Sequence, residues 1–447
     1  MKHKVYLVSL GCDKNLVDSE MMLGILSKEG FELTDDENEA EIAVINTCSF
    51  IHDAKQESVN AILEMADLKE NGSLKVLLVC GCLAQRYSDE LLQEIPQIDA
   101  ILGTMAIDRI AEAAREALEK NHVVLLPDID SPLPAYQKRM LTGAGHTAYL
   151  KIAEGCDKHC TYCAIPAMRG KYRSYPMEDL LEDAKRLAES GVKELILVAQ
   201  ESTLYGVDLY GHKALPELLH KLCAIDGLKW IRILYCYPEE ITDELIDVIA
   251  EEDKICNYLD IPIQHASDRI LKRMGRRTSN AELREIIGKL RDRIPDIAIR
   301  TTLIVGFPGE SEEDYRILHD FVDEMEFDRL GVFTYSQEEG TPAAEMPDQI
   351  DEETKEARRD EIMLLQQAIS YDLASEWIGE TLDAFVEGRL PDEGVYVART
   401  YMDAPDVDGY FFVSCDKELE SGDLITAKVT DCNEYDLIGV VFDEFSE

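Results

Sequence analysis

The sequence predicts an α/β protein of three parts: an N-terminal open parallel α/β domain over 1–126, a central partial (β/α)6 TIM-like barrel over 142–375, and a small C-terminal antiparallel β module over 376–447. Three observations predict it. Short apolar runs alternate with amphipathic helical patterns through the first 120 residues, and that rhythm requires parallel strands joined by helical crossovers. A second alternating series of six strand–helix units follows a Pro- and Gly-rich stretch. Beyond Gly379 the period becomes two, with turn residues between the runs, the pattern of short antiparallel strands.

In the first part VYLVSLGC precedes NLVDSEMMLGILSKEG, AEIAVINTC precedes AKQESVNAILEMADLK, KVLLVCGC precedes YSDELLQEI, and DAILGT precedes IDRIAEAAREALEK. The stretch 127–146 carries Pro127, Pro132, Pro134, Gly143 and Gly145 and reads as a linker. The second part supplies AYLKIAEGC, ELILVAQES, WIRILYCYP, NYLDIPIQH, IAIRTTLIVGFPG and RLGVFTYSQ as strands. Six units fall short of the eight of a closed TIM barrel, so an open barrel is expected, with its working residues at the C-terminal strand ends. A helical stretch from Thr354 to Gly379 leads to TLDAFVEGRL, VYVART, GYFFVS, DLITAKVTDC and DLIGVVF, the strands of the last part.

Hydrophobic residues make up 46% of the chain, which is ordinary for a soluble globular protein. No apolar run approaches the length that crosses a bilayer, and the opening MKHKVYLVSLGC reads as a strand rather than a cleavable signal. Twelve cysteines in such a chain point to metal or redox chemistry in a reducing cytoplasm. Charge is the most unusual bulk property: 90 acids against 45 bases give a formal net charge of −45. Residues 376–447 alone hold 19 acids and 4 bases, a net of −15. Such a surface repels polyanions and argues against nucleic acid as a partner. It is either a solvated face or a match for a basic protein.

EGCDKHCTYC, residues 154–163, puts Cys156, Cys160 and Cys163 within eight positions and offers no fourth cysteine before Cys223. A zinc site closes with four ligands and would have to borrow a distant one. Three thiolates can instead hold three irons of a four-iron cluster, leaving an open iron that chelates a small molecule. In the first part, SLGC, INTC and VCGC end successive strands with Cys12, Cys48 and Cys82. Strand ends of an open parallel sheet converge on one crevice, so three thiols at equivalent positions point to a second metal site. Core packing is the competing reading for any one of them. Cys80 is a rival to Cys82 but lies deeper in its strand. Cys223, Cys236, Cys256, Cys415 and Cys432 sit in apolar patterns and read as packing residues. MRGKYRSYP at 168–176 is a basic patch, suited to a carboxylate of a ligand or to a solvated turn.

The CxxxCxxC spacing resembles the radical S-adenosylmethionine (SAM) superfamily, and Tyr162 matches the aromatic residue found there. That resemblance implies a 4Fe-4S cluster whose open iron chelates SAM, and reductive cleavage to a 5′-deoxyadenosyl radical. AQEST at 199–203 sits where the superfamily reads the SAM amino group, TTLIVGFPGE at 301–310 where it follows the adenosine, and LDIPIQHAS adds Gln264 and His265 at another strand end. The implied cofactor contacts are Gln200, Gln264 and Arg300. SLGCDKNLVDSE, NTCSF, GCLAQRY and GCDKHCTYCAIPAMRG together resemble the methylthiotransferase family over the whole chain. This implies an N-terminal cluster domain, a radical SAM barrel and a C-terminal TRAM module. It also implies two 4Fe-4S clusters, on Cys12, Cys48 and Cys82 and on Cys156, Cys160 and Cys163, and a second SAM as methyl donor. KNLVDSE, AQEST and the acidic tail most resemble the branch that modifies the β-carbon of an aspartate in small-subunit ribosomal protein twelve. An electron donor such as a flavodoxin is implied. The alternatives are a tRNA adenosine methylthiotransferase, which would carry a basic TRAM module, and a non-enzymatic iron–sulfur carrier.

Overall fold

The computed structural model describes residues 3–120, 122–391 and 394–441. The N-terminal part is a six-stranded, all-parallel sheet built from β1 (Lys4–Ser9), β2 (Glu32–Leu33), β3 (Ile42–Thr47), β4 (Val76–Gly81), β5 (Ala100–Leu102) and β6 (Val123–Leu125), in the order β2-β1-β3-β4-β5-β6. The edge strands β2 and β6 add to the four expected from the sequence; with two and three residues they are too short to show an apolar run. Helices cover both faces, and two apolar clusters form, one around Val44 and Leu78 and one around Ile45 and Leu77. That division is the period-two alternation of a strand buried on both sides.

The central sheet is also six-stranded and parallel: β7 (Thr147–Lys151), then, after a short antiparallel pair β8 (Ala153–Glu154) and β9 (Arg173–Ser174), β10 (Glu194–Val198), β11 (Trp230–Ile233), β12 (Ile255–Asp260), β13 (Ala298–Val305) and β14 (Arg329–Thr334). Its order, β14-β13-β12-β11-β10-β7, is that of the open six-unit barrel expected. Leu195 and Leu197 face the outer helices, whereas Ile196 and Val198 face the interior. Cys223 and Cys236 lie in the outer apolar cluster, Cys256 and Cys432 in the inner one with Cys415 packed against it.

The expected linker 127–146 has no helix or strand but is tied down. Arg139 is buried and donates to Glu20 at 2.9 Å and to Asp183 at 3.2 Å. The Met140 amide donates to the Glu20 carbonyl at 3.0 Å.

The long helix Glu352–Glu376 leads to a closed five-stranded barrel of β15 (Thr381–Arg389), β16 (Val395–Thr400), β17 (Phe411–Ser414), β18 (Leu424–Cys432) and β19 (Leu437–Val441). The sequence suggested a wholly antiparallel module. Four pairings are antiparallel, but β17 and β19 run parallel, with Phe411 opposite Leu437. The reason is parity: five strands that alternate in direction cannot close a ring without one parallel pair.

This small barrel plugs the inside of the central one. Ile196, Val198, Tyr258 and Ala298 share an apolar cluster with Ala398, Phe411 and Val413. Charged groups lock the same interface. Glu194 accepts from Arg232 Nε at 2.9 Å and from Arg399 Nη2 at 2.5 Å. Arg329 binds Asp403 at 2.6 Å, and Asp408 accepts from Arg300 at 2.7 Å and from the Tyr258 hydroxyl at 2.8 Å. Burial raises the Glu194 carboxyl, but Arg399 and Arg232 outweigh it and hold the group at about 2. A folded-state value below the unfolded one gives stability that is complete above the usual carboxylate range and is lost as pH falls toward 2. Glu194→Gln strands two buried guanidinium groups, so we expect a loss of about 3 kcal/mol in urea unfolding of the apoprotein at neutral pH. The gap between variant and wild type should close as pH drops from about 5 toward the lower value.

Candidate active site at the barrel mouth

Each cysteine trio is built at strand ends. β1, β3 and β4 lie side by side, and just beyond them stand Cys12, Cys48 and Cys82. Gly11, Gly81 and Gly155 immediately precede Cys12, Cys82 and Cys156, with φ of +89°, +90° and +78°. Glycine alone adopts that geometry freely, and a Cβ on Gly11 would stand 2.8 Å from the Cys48 sulfur. The close approach lays the Cys12 loop against Cys48. Cys48 and Cys82 are buried and Cys12 is exposed. Burial, opposed by Arg169 and reinforced by Cys12 and Cys48, pushes the Cys82 thiol up to about 11. Cys80 lies behind, fully buried, with its thiol 3.4 Å from the Ile45 carbonyl and 3.8 Å from the Met22 sulfur.

The second trio follows β8. Cys156 and Cys160 are buried and Cys163 is half-buried. Burial, with Cys160 adding to it, pushes both Cys156 and Cys163 up to about 12. Such thiols stay protonated until a metal displaces the proton. Among the described residues no three His, Cys, Asp or Glu side chains converge tightly enough to share a single metal ion. A four-iron cluster makes no such demand, because each thiolate takes its own iron.

The two trios face one another across the barrel mouth. Cys82 packs against Ala164 and Met168, which follow Cys163. Beyond β11, Tyr235 donates its hydroxyl to Asp13 at 3.2 Å, next to Cys12, while the Tyr237 hydroxyl lies 3.6 Å from the Cys160 sulfur. Arg169 joins the two sides. Its Nε donates to the Cys82 sulfur at 3.3 Å, its Nη1 to Asp18 at 2.8 Å and Glu154 at 3.0 Å, and its Nη2 to Asn15. Lys151 donates to Asp18 and, at 2.8 Å, to Glu154. The stretch 168–176 therefore divides: Arg169 is fully engaged inside the protein, whereas Lys171 faces solvent, as in the solvated turn its sequence suggested. Arg173 likewise donates to the carbonyls of Ser131 and, at 2.7 Å, of Arg169.

Of the residues expected to touch a cofactor, Gln200 follows β10 and donates to Glu154 at 2.9 Å, leaving its Oε1 buried without a partner. Gln264 has φ of +70° and a buried, unpartnered Oε1. A positive φ on such a residue marks a position held by its surroundings. His265 holds its own loop, accepting from the amides of Ala266 and Ser267 at 2.9 Å, with Glu310 at 3.4 Å on its other nitrogen. Arg300 is engaged elsewhere: besides Asp408 it has Asp260 at 3.7 Å, so it serves the joint with the C-terminal barrel. Glu201, beside Gln200, was not singled out by sequence reasoning. Burial pushes its carboxyl up to about 7, against hydrogen bonds from Thr203, and its Oε2 has no partner. Its only sequence signal was membership in AQEST. Three unpartnered acceptors past the ends of β10 and β12, on either side of β11, fit a ligand rich in ammonium and hydroxyl donors.

Comparison with known proteins agrees with this architecture. Residues 4–103 match the uncharacterized protein family UPF0004, residues 150–322 the radical SAM superfamily and residues 378–442 the TRAM domain. The solved radical SAM methyltransferase TsrM from Kitasatospora setae superposes with a TM-score of 0.56 at 14% identity, over 88% of this chain and 79% of that one. At that identity the likeness concerns the fold. The ribosomal protein uS12 methylthiotransferase RimO of Lachnoclostridium phytofermentans is 61% identical over 98% of this chain and 99% of its own. RimO of Clostridioides difficile is 50% identical over 99% and 100%, and that of Pelotomaculum thermopropionicum 52% over 98% of each. Across its full length, with both cysteine trios and the C-terminal barrel in place, the chain belongs to the RimO family of radical SAM methylthiotransferases.

Proposed function

We propose that this protein methylthiolates the β-carbon of an aspartate in ribosomal protein uS12. The observation that carries the reading is the meeting of two cysteine trios at one mouth, bridged by Tyr235, Tyr237 and Arg169. When bound, a 4Fe-4S cluster at Cys156, Cys160 and Cys163 with SAM supplies a carbon-centred radical, and a second cluster at Cys12, Cys48 and Cys82 supplies sulfur. The protein's own part is positioning. Glu201 Oε2, Gln200 Oε1 and Gln264 Oε1 would accept the ammonium and hydroxyl protons of SAM. Tyr162, next to Cys163 in the chain, packs edge-on against Phe307 with ring centroids 6.4 Å apart. Arg169, fixed by Asp18 and Glu154, orients the Cys82 sulfur. The uS12 reading is favoured over tRNA because a C-terminal module of net charge −15 repels a polyanion. No described helix is long and apolar enough to cross a membrane. A donor of single electrons such as a flavodoxin completes the reaction.

Replacing Cys156, Cys160 and Cys163 together by Ala should remove about half the iron and all SAM cleavage; replacing Cys12, Cys48 and Cys82 should remove the other half and leave SAM cleavage intact. Iron assay and 5′-deoxyadenosine quantification check both, and full iron in the N-terminal variant would refute the second site.

Cys82→Ser should abolish methylthio product and lower the iron, whereas Cys80→Ser should do neither. Cys80 sits one strand repeat (about 7 Å) back and is enclosed by Ile45 and Met22. The opposite pattern would exchange their roles.

Asp416, Glu418 and Glu420 are exposed on the C-terminal barrel. As the docking face for basic uS12, they would chiefly speed encounter. Asp416→Lys, Glu418→Lys and Glu420→Lys together should slow uS12 association severalfold, and wild-type association should fall steeply with salt, since exposed charges are screened beyond about 8 Å at physiological ionic strength. Salt-insensitive binding would reduce the acidity to a solvated face.

A further inference from the structure

We propose that Lys14 receives the side-chain carboxylate of the substrate aspartate and so selects it, an inference that rests on the uS12 reading above. Lys14 follows Cys12 by two positions and is only 6% exposed. Its ammonium lies 3.3 Å from the centroid of the Tyr235 ring. Among the described residues no hydrogen bond and no carboxylate at ion-pairing distance engages its ammonium. Of the neighbouring acids, Asp13 accepts from the Tyr235 hydroxyl at 3.2 Å; Asp260 accepts from the Tyr235 amide at 3.1 Å through one oxygen and faces Arg300 at 3.7 Å through the other, near enough for the Lys14 charge to favour its ionised form but not in contact with it.

In a chain with twice as many acids as bases, a nearly buried cation with no carboxylate in contact is costly unless a ligand supplies one. The ring face of Tyr235 lowers that cost while the site is empty of substrate. Position then identifies the ligand. Tyr235 belongs to the short stretch that also brings Tyr237 to Cys160, so Lys14 lies in the gap between the trios, on the Cys12 side. A carboxylate held there keeps the carbon next to it in that gap, where hydrogen removal and sulfur delivery must both reach it. The side chain of an aspartate has that arrangement: its β-carbon is bonded directly to the carboxyl carbon. An asparagine at the same place matches the shape but brings no charge.

The test uses the reconstituted full-length enzyme under anaerobic conditions, purified uS12, and uS12 whose modified aspartate is replaced by asparagine. Binding is followed by fluorescence anisotropy. Wild-type enzyme should bind the aspartate form about tenfold or more tighter than the asparagine form, as for loss of one partner of a desolvated charge pair. Lys14→Gln should bring the two affinities within about twofold by weakening the aspartate form alone. Lys14→Met, whose stem still covers Tyr235, should behave alike, and it carries the comparison if Lys14→Gln loses iron. An undiminished preference for aspartate in the variants would overturn the proposal, as would equal weakening of both forms or a wild-type enzyme blind to the difference. A wild-type enzyme that neither binds nor modifies uS12 would overturn the uS12 reading itself, and the inference with it.

Discussion

The arrangement of the site depends on one buried group of charges. Asp18 comes from the N-terminal domain; Lys151, Glu154 and Arg169 come from the barrel; all four are almost completely buried. Two cations face two anions, so the group is neutral as a whole, and each charge has at least two partners. A buried ion pair stabilises only when its geometry is good and its remaining donors and acceptors are used. Here Arg169 uses its further N–H groups on Asn15 and the Cys82 sulfur, and Glu154 uses its second oxygen on Gln200. Burial raises the Glu154 carboxyl, yet Arg169 and Lys151 hold it at about 2. Glu154 is therefore charged throughout the neutral range, and removing any member of the group leaves an unpaired ion at the seam. Because Glu154 is two residues before Cys156 and Arg169 touches Cys82, the seam fixes one trio relative to the other.

The same logic explains how an open barrel becomes an enclosed site. Six strands leave β7 and β14 as free edges. The N-terminal domain spans them: Asp18 meets Lys151 on β7, and Lys55 meets Glu338, just past β14, at 2.6 Å, with Arg86 donating to the Glu339 carbonyl beside it. The two contacts differ in burial. Both partners at the β7 edge are about 1–2% exposed, whereas Lys55 is 20% exposed. Glu338 itself is only 3% exposed, so the β14 contact is a part-buried pair, less enclosed than the one at β7. Below, the C-terminal barrel fills the interior with apolar side chains and a second set of buried ion pairs. What stays open is the mouth, where the two trios meet.

Sequence reasoning reached the strands, the open barrel and the strand-end placement of the six cysteines because those signals are local or periodic. A cysteine after a glycine at a strand end is visible in the chain, and sheet topology then gathers such positions in space. It failed where a residue's role depends on a partner far along the chain. Arg169 belongs to a basic stretch, and nothing nearby announces that Asp18 and Glu154 will neutralise it, 151 and 15 positions away. The Arg300 ion pair was equally illegible, since its partner Asp408 is 108 positions on, in another module. One such signal was present and unread. Asn15, Asp18, Ser19 and Met22 share one face of the first helix, and all four are buried. Three polar residues at apolar spacing announce a buried polar network.

The acidity of the tail also divides. Glu387, Asp403 and Asp408 are used inside the molecule by Arg399, Arg329 and Arg300, while Asp416, Glu418 and Glu420 face solvent. The first set builds the joint and the second is left to meet a partner. The buried charges of the Asp18–Lys151–Glu154–Arg169 group and of the Glu194–Arg232–Arg399 group are paired with one another. At the mouth, by contrast, Gln200, Glu201 and Gln264 each keep an unpartnered oxygen, and Lys14 keeps an unpaired ammonium. An unmade hydrogen bond in a buried place costs about 1–3 kcal/mol, and four such groups around one opening are tolerated only if ligands complete them. Three acceptors and one cation call for ligands that bring several donors and one negative charge. SAM and an aspartyl side chain, bound together, are such a pair.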